Sequence, residues 1–316
     1  MSKLHVCILG GTGFVGQHLS VRLAGEGHKV RVLTRNRERH RDLLVLPTVE
    51  VVEADIYDSE ALAQQLRGMD AVINLVGVLH DEKRTGRGFQ GAHVTLARIL
   101  HDASTKAGVK RILHMSALNA DSGKGSSRYL RSKGEAENII HNTAHIAVTS
   151  FRPSVIFGPG DSFLNRFATL LRLTPRLLPF FLVCPTARFA PVYVGDVVKA
   201  MAQAISNRDT FGKRYDLCGP KIYTLQQIVQ LTARTIEAPR RIIGLGNGLS
   251  KFIAMLPGKF FTMDNFNSMK TDSVCSKPFP AVFDITPMAL ESIAPLYLGK
   301  RKVRERLFGY RANANR

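Results

Sequence analysis

Residues Lys3–Gly16 read KLHVCILGGTGFVG, a short apolar run that passes directly into Gly10-x-x-Gly13-x-x-Gly16. The run Leu4–Leu9 has the length of a buried parallel strand, and Phe14–Leu23 carries helical spacing of apolar residues. A strand, a glycine turn and a helix in that order form the first unit of a doubly wound sheet. The glycines have separate jobs. Gly10 permits the tight turn, Gly13 lets the backbone approach a pyrophosphate, and Gly16 lets helix and strand pack closely. The phosphates then rest on the unpaired N–H groups and positive dipole end of the helix. Dinucleotide contacts are therefore expected from Gly10, Thr12, Gly13, Phe14, Val15 and Gly16.

Strand-like runs recur at Val30–Thr34, Val49–Glu53, Ala71–Val76, Val109–Met115 and Ala147–Phe151. Helical patterns lie between them at Ser59–Arg67, Phe89–Ala107 and Tyr129–His141. This alternation predicts an α/β fold, a doubly wound parallel sheet of the Rossmann type, with a smaller mixed C-terminal lobe. The nucleotide domain is expected over residues 1–152, with 192–210 rejoining it. The smaller lobe is expected over residues 153–316, ending in a basic tail.

The second strand ends in Thr34-Arg35-Asn36-Arg37, where an NAD-specific site would place a carboxylate for the ribose 2′-OH. Guanidinium suits a 2′-phosphate, being planar, always charged and bidentate. Arg35, supported by Arg39, points to NADPH rather than NADH. Asp55 and Ile56 follow the third strand and are placed to meet the adenine; Leu75, Val76 and Gly77 follow the fourth, at the same carboxyl edge.

Ser116 closes the fifth strand, and Tyr129-Leu-Arg-Ser-Lys133 follows on a helix. Tyr and Lys four residues apart share one face. An ammonium there is expected to lower the phenol pKa, normally about 10, by favouring phenolate. Tyr129 would then pass a proton to or from a substrate oxygen while the nicotinamide exchanges hydride. Ser116 would hold that oxygen, and Lys133 would also hold the nicotinamide ribose.

These residues resemble the atypical extended short-chain dehydrogenase/reductases. Narrower features are Arg152-Pro-Ser-Val-Ile-Phe-Gly-Pro-Gly-Asp161, Pro191-Val-Tyr-Val-Gly-Asp-Val-Val198 and Tyr215-Asp-Leu-Cys-Gly-Pro220. With them the chain resembles, from Lys3 to about Leu298, the family of the nucleotide-binding accessory subunit of respiratory complex I. The resemblance implies that the Pro153–Val155 backbone borders the nicotinamide and that the second lobe covers the substrate. It also implies alternative roles. One is an oxidoreductase acting on a hydrophobic carbonyl or quinone-type substrate, in ubiquinone synthesis or the respiratory chain. Another is a protein that holds its cofactor to stabilise or assemble such a complex, and a third is a sugar-nucleotide epimerase. His93 stands where many extended reductases place an asparagine, so it either relays protons itself or is a buried helix histidine.

Lys and Arg exceed Asp and Glu by 44 to 25, a net charge of +19. Such an excess attracts polyanions. Phe163–Cys184, FLNRFATLLRLTPRLLPFFLVC, mixes apolar residues with Arg166, Arg172 and Arg176. It suits either a segment lying on an anionic membrane surface or an internally packed lid of the pocket. Residues Lys300–Arg316 would add attraction to anionic lipid. No zinc finger or recognition-helix signature is present, so specific nucleic-acid binding is not expected. The four cysteines lack metal-ligand spacing and suit a reducing compartment. The longest apolar stretch is far short of the roughly 20 residues needed to span a bilayer, and only three residues precede the first strand. A cytoplasmic location is expected, peripheral at the inner face of the cell membrane.

Overall fold

The computed structural model describes residues 3–79, 87–143, 145–256 and 261–299. The apolar runs form strands because burial on both faces selects continuous Val, Ile and Leu. These are β1 (His5–Leu9), β2 (Lys29–Thr34), β3 (Val49–Glu53), β4 (Ala71–Asn74), β5 (Arg111–Met115) and β6 (Ala147–Pro153). With β7 (Lys213–Leu217) they make one parallel sheet in the order β7-β6-β5-β4-β1-β2-β3. The order reverses at β1, where Val6 pairs with Val30 on one side and Ala71 on the other. A crevice opens at such a reversal, outside the carboxyl ends of the strands.

The helices are α1 (Phe14–Gly25), α2 (Ser59–Leu66), α3 (Leu96–Ala107), α4 (Arg128–His141), α5 (Phe163–Leu173), α6 (Val194–Ser206), α7 (Leu225–Thr235), α8 (Asn247–Met255), α9 (Met263–Ser268) and α10 (Leu290–Leu298). Leu19 and Leu23 of α1 and Val197 and Met201 of α6 pack with Ile8, Val32 and Leu113 on one face of the sheet. Leu62, Leu66, Leu100 and Ile140 pack with Cys7, Leu9 and Ile112 on the other. A second core, including Leu164, Leu182, Ile228, Phe266 and Ile293, belongs to the smaller lobe. The doubly wound fold with a smaller lobe is thus the observed one.

Two segments depart from the expected division. Lys213–Leu217, read above as part of the smaller lobe, is the edge strand beside β6, pairing Tyr215 with Phe151. Its Lys-Arg-Tyr-Asp-Leu sequence lacks an apolar run because an edge strand is only half covered. Phe283 also returns to the first core, where it packs on Phe151 and Tyr215.

The family-like motifs brace the smaller lobe internally and fasten it to the sheet. The Asp161 carboxylate accepts from the N–H groups of Gly158, Leu164 and Asn165 and from the Tyr297 hydroxyl. It thereby caps α5 and ties it to α10. Asp196 accepts the Met288 N–H at 2.7 Å. Cys218, just past β7, forms a disulfide with Cys275, so these two are not the reduced thiols that the cysteine count led us to expect. The basic segment Lys300–Arg316 lies outside the described residues.

Candidate active site

The site is assembled on the carboxyl edge around β1, β4 and β5. Gly10 has φ +76°, a conformation that favours glycine, and a Cβ there would lie 3.0 Å from the Val76 nitrogen. The glycine loop therefore rests on the end of β4. A Cβ at Gly16 would lie 2.4 Å from the Gly10 carbonyl oxygen, so the close approach of α1 to the loop excludes any side chain. Gly13 opens α1 with no side-chain cap, and the first turn carries no acid. Its N–H groups and dipole are thus available to an anion. Thr12 O accepts from Gln17 Nε2 at 3.2 Å, which steadies the loop. Phe14 and Val15 turn their side chains onto the first core, leaving their backbone to the loop. A dinucleotide pyrophosphate fits this cradle.

Arg35 and Arg39 are exposed beyond β2. Arg35 lies close enough to Tyr57 to oppose the upward push that burial gives that phenol. Asp55 accepts the Tyr57 N–H at 2.9 Å, so one carboxylate oxygen is already used in a turn. Ile56 packs against the second face of the sheet. The Leu75 N–H donates to Leu9 O at 2.9 Å, and the Val76 N–H to Asn74 Oδ1 at 3.1 Å, fixing the edge that leads to Gly77. Pro153 O accepts from the Leu118 N–H at 3.0 Å and Val155 O from the Val192 N–H at 2.9 Å. The Pro153–Val155 backbone is thus held along the ends of β5 and β6.

Ser116 follows β5 at this edge, and Lys133 and Tyr129 lie one turn apart on the adjacent α4. Lys133, buried on α4, donates from Nζ to Met115 O at 2.9 Å, which places it one residue from Ser116. A Cβ on Gly77 would lie 3.1 Å from that Nζ and 3.7 Å from His93 Nε2. Tyr129 packs edge-on against His93, with ring centroids 5.7 Å apart, and against Phe89 at 5.9 Å. Ser116 is buried, and its hydroxyl faces the Glu137 carboxylate, whose acidity it strengthens.

The ionisation pattern differs from the one expected of a Tyr-Lys pair. Burial, and secondarily the Asp264 carboxylate, push Tyr129 up to about 12. Burial brings Lys133 down to about 8, opposed by Glu137. The ammonium is turned to a carbonyl, and burial dominates the state of the phenol. Tyr129 is therefore a neutral phenol at ordinary pH.

His93 lies in a π-helical segment, Gln90–Thr95, immediately before α3. Such segments commonly mark functional sites. Its Nε2 accepts the Val78 N–H at 3.2 Å, and its Nδ1 is 2.8 Å from Ser132 Oγ. Ser132 already donates its own proton to Tyr129 O at 2.8 Å, so His93 must be the donor at Nδ1. Both ring nitrogens are committed and the ring is neutral. Burial, then Lys133, bring it down to about 2. Of the two roles open to His93, this geometry supports the buried, hydrogen-bonded one.

Sequence reasoning did not find Ser132, Glu137 or Asp264. Ser132 sits inside the Tyr-Lys motif and was legible there. Glu137 follows Lys133 by one turn, a spacing that signals a shared face. Asp264 comes from α9, with no local pattern to link it to Tyr129.

Residues 6–218 match the NAD dependent epimerase/dehydratase family. The chain is 31% identical over 320 residues to the NADH dehydrogenase [ubiquinone] 1 alpha subcomplex subunit 9 of Rattus norvegicus, covering 94% of this chain and 80% of that one. It is 34% identical over 194 residues to the ceramide reductase of Caulobacter vibrioides, covering 60% of this chain and 57% of that one. In fold it is similar to the dTDP-glucose 4,6-dehydratase DesIV of Streptomyces venezuelae, solved with NAD and TYD bound, with a TM-score of 0.74, 20% identity and coverage of 93% and 96%. The glycine cradle, the sheet order and these similarities make the chain a member of the NAD dependent epimerase/dehydratase family, an extended short-chain oxidoreductase related to the complex I alpha subcomplex subunit.

Proposed function

We propose that the protein is an NADPH-dependent reductase of a hydrophobic carbonyl or quinone-type substrate. The observation that carries this reading is Lys133 buried on α4 against Met115 O and Gly77, next to Ser116, with a neutral Tyr129 one turn before it on the same helix. When bound, the nicotinamide cofactor supplies or accepts hydride. The glycine loop would hold its pyrophosphate, Arg35 and Arg39 its 2′-phosphate, and Lys133 its ribose. The Ser116 hydroxyl would donate to the substrate oxygen, and Tyr129 would give that oxygen its phenolic proton. NADPH consumption at pH 7 with a panel of aldehydes, ketones and short-chain quinones tests the reading. No consumption beyond a cofactor-only control, with tight nucleotide binding, would contradict it.

The second reading is a cofactor-holding subunit of a respiratory or quinone-synthesis complex. It is favoured by the end-to-end similarity to a protein named as a complex I subunit. An epimerase, the third, would keep its nicotinamide bound and show no net consumption.

A hydrophobic substrate agrees with the surface of the smaller lobe. The inner face of α5, Leu164, Ala168 and Leu171, packs internally, whereas Leu173, Leu177, Leu178 and Phe181 beyond it are exposed, Leu177 at 97%. Phe181 pairs through the backbone with Ile243, and the following α8 exposes Leu249, Phe252 and Met255. Arg172, Arg176, Arg241 and Lys251 are exposed along the same segments, while Arg166 is half-buried. Apolar residues set among cations suit the headgroup region of an anionic membrane. No helix among the described residues is long and apolar enough to cross one. This surface supports our reading of a protein peripheral at the inner face of the cell membrane, next to a lipid-soluble substrate.

A further inference from the structure

α9 brings the smaller lobe against the helix that carries the reactive pair. One oxygen of the Asp264 carboxylate accepts the Arg128 N–H at 2.8 Å, and the other accepts the Tyr129 N–H at 3.3 Å. Ser268 donates its hydroxyl to Ser127 Oγ at 2.8 Å, and Ser127 Oγ in turn accepts the Leu130 N–H at 3.1 Å. The first N–H groups of a helix have no partner within it. Ser127, the cap of α4, answers one of them; the other lobe answers two.

α9 is itself well anchored. Thr262 and Asn265 close a capping box at its start, and Phe266 is buried in the core of the smaller lobe. The chain after it is fastened along the ends of β5 and β6. Asn119 Nδ2 donates to Asp272 O at 2.9 Å, and Ser154 Oγ to Ser273 O at 2.7 Å.

We propose that Asp264 is a positioning residue for proton transfer by Tyr129: docking of the smaller lobe completes the first turn of α4 and sets a fixed negative charge on the backbone that carries the phenol. The inference rests on the reading of Tyr129 as the proton donor. A carboxylate at a helix N-terminus is favoured by the dipole, and beside a phenol it disfavours phenolate. The rings packed against Tyr129 are Phe89 and the neutral His93, from the segment before α3. Lys133 is turned to Met115 O. The two lobes thus share one acid: the smaller lobe supplies the charge and the larger one the phenol. The carboxylate keeps the phenol protonated and makes it a weaker acid, so what docking contributes to proton transfer is the position of Tyr129.

Asp264→Asn, Asp264→Ala and Ser268→Ala in the full chain test this without a substrate. Amide hydrogen exchange reads the first turn of α4, and ultraviolet titration reads the Tyr129 phenol as the difference from Tyr129→Phe. Exchange at Arg128 and Tyr129 should quicken about tenfold or more in Asp264→Ala, with the rest of the sheet still protected. Asp264→Asn keeps an acceptor and removes the charge, so it should move Tyr129 ionisation about one pH unit lower with a smaller effect on exchange. Ser268→Ala should quicken exchange at Leu130 alone. Should Asp264→Ala fail to fold, the other two variants still decide the matter. Unchanged Arg128 and Tyr129 exchange in a folded Asp264→Ala protein, or an unmoved phenol in Asp264→Asn, would overturn the proposal. An absence of turnover in the wild type would overturn the reductase reading and leave both of these readouts standing.

Discussion

Glu137 lies one turn beyond Lys133 on α4, with its side chain 1% exposed. Burial pushes its carboxyl up, but hydrogen bonds and charge from Arg152 outweigh this, and the net displacement is downward. Arg152 Nε donates to it at 2.9 Å from β6, and Arg214 donates to it from β7. Removing one partner of a buried ion pair leaves the other charge uncompensated. Glu137→Gln should therefore cost about 3 kcal/mol or more of stability, read by urea unfolding. A loss under about 1 kcal/mol would show the arginines to be solvated instead. At the other end of the site, Arg35→Glu should weaken NADPH binding about tenfold to a hundredfold and leave NADH binding nearly unchanged, since only NADPH offers a 2′-phosphate for a charge-assisted bond. Isothermal titration with both nucleotides checks it, and an equal loss for both would remove Arg35 from that role. The Tyr129-Lys133 spacing was legible because both residues lie on one helix. The ionisation of the phenol was not, because it is raised chiefly by burial and secondly by a carboxylate 135 residues away along the chain.

Most elements were legible from periodicity. Expected and observed strand ends differ by at most two residues for the first six strands, because each is an apolar run bounded by polar residues. The π-helical Gln90–Thr95 was not, since one helical pattern covers it and α3 alike. That segment nevertheless sets the state of His93. Two further histidines share the neutral condition: burial brings His114 on β5 down to about 3 and His141 at the end of α4 down to about 4. In the unfolded chain all three take up protons below about pH 6.5, whereas in the folded protein they stay neutral to lower pH. The unfolded state then binds more protons, so stability is full above about pH 6.5 and falls as the pH drops below it. The slope is about 1.4 kcal/mol per pH unit for each histidine while the states differ. Chemical denaturation at pH 7, 6 and 5 should show a steep, progressive loss; equal stability at pH 7 and 5 would contradict the burial assigned to these rings.

At the scale of the molecule, the motifs that made the chain resemble its family divide into two kinds. The glycine loop and the Ser116, Tyr129 and Lys133 set lie at the crevice. Asp196 and Cys218 instead hold the smaller lobe against the sheet, and Asp161 ties two helices within that lobe. The sheet's inner strands were legible, while the edge strand β7 was hidden by its polar sequence, and the contacts between lobes have no sequence period to reveal them. The exposed apolar and basic segments of the smaller lobe should bind anionic vesicles at low salt and release them as salt rises, because screening shortens the reach of the charge. Leu177→Glu with Phe181→Glu should abolish flotation; flotation by the variant equal to wild type would move the membrane contact elsewhere. The central claim is that Tyr129 donates the proton for reduction by NADPH. It is tested most directly by NADPH oxidation at pH 7 across aldehydes, ketones and quinones, with wild type beside Tyr129→Phe. The account predicts turnover on an apolar member of the panel, a loss of about 100-fold or more in the variant, and unchanged nucleotide affinity. Equal turnover in both proteins would contradict it.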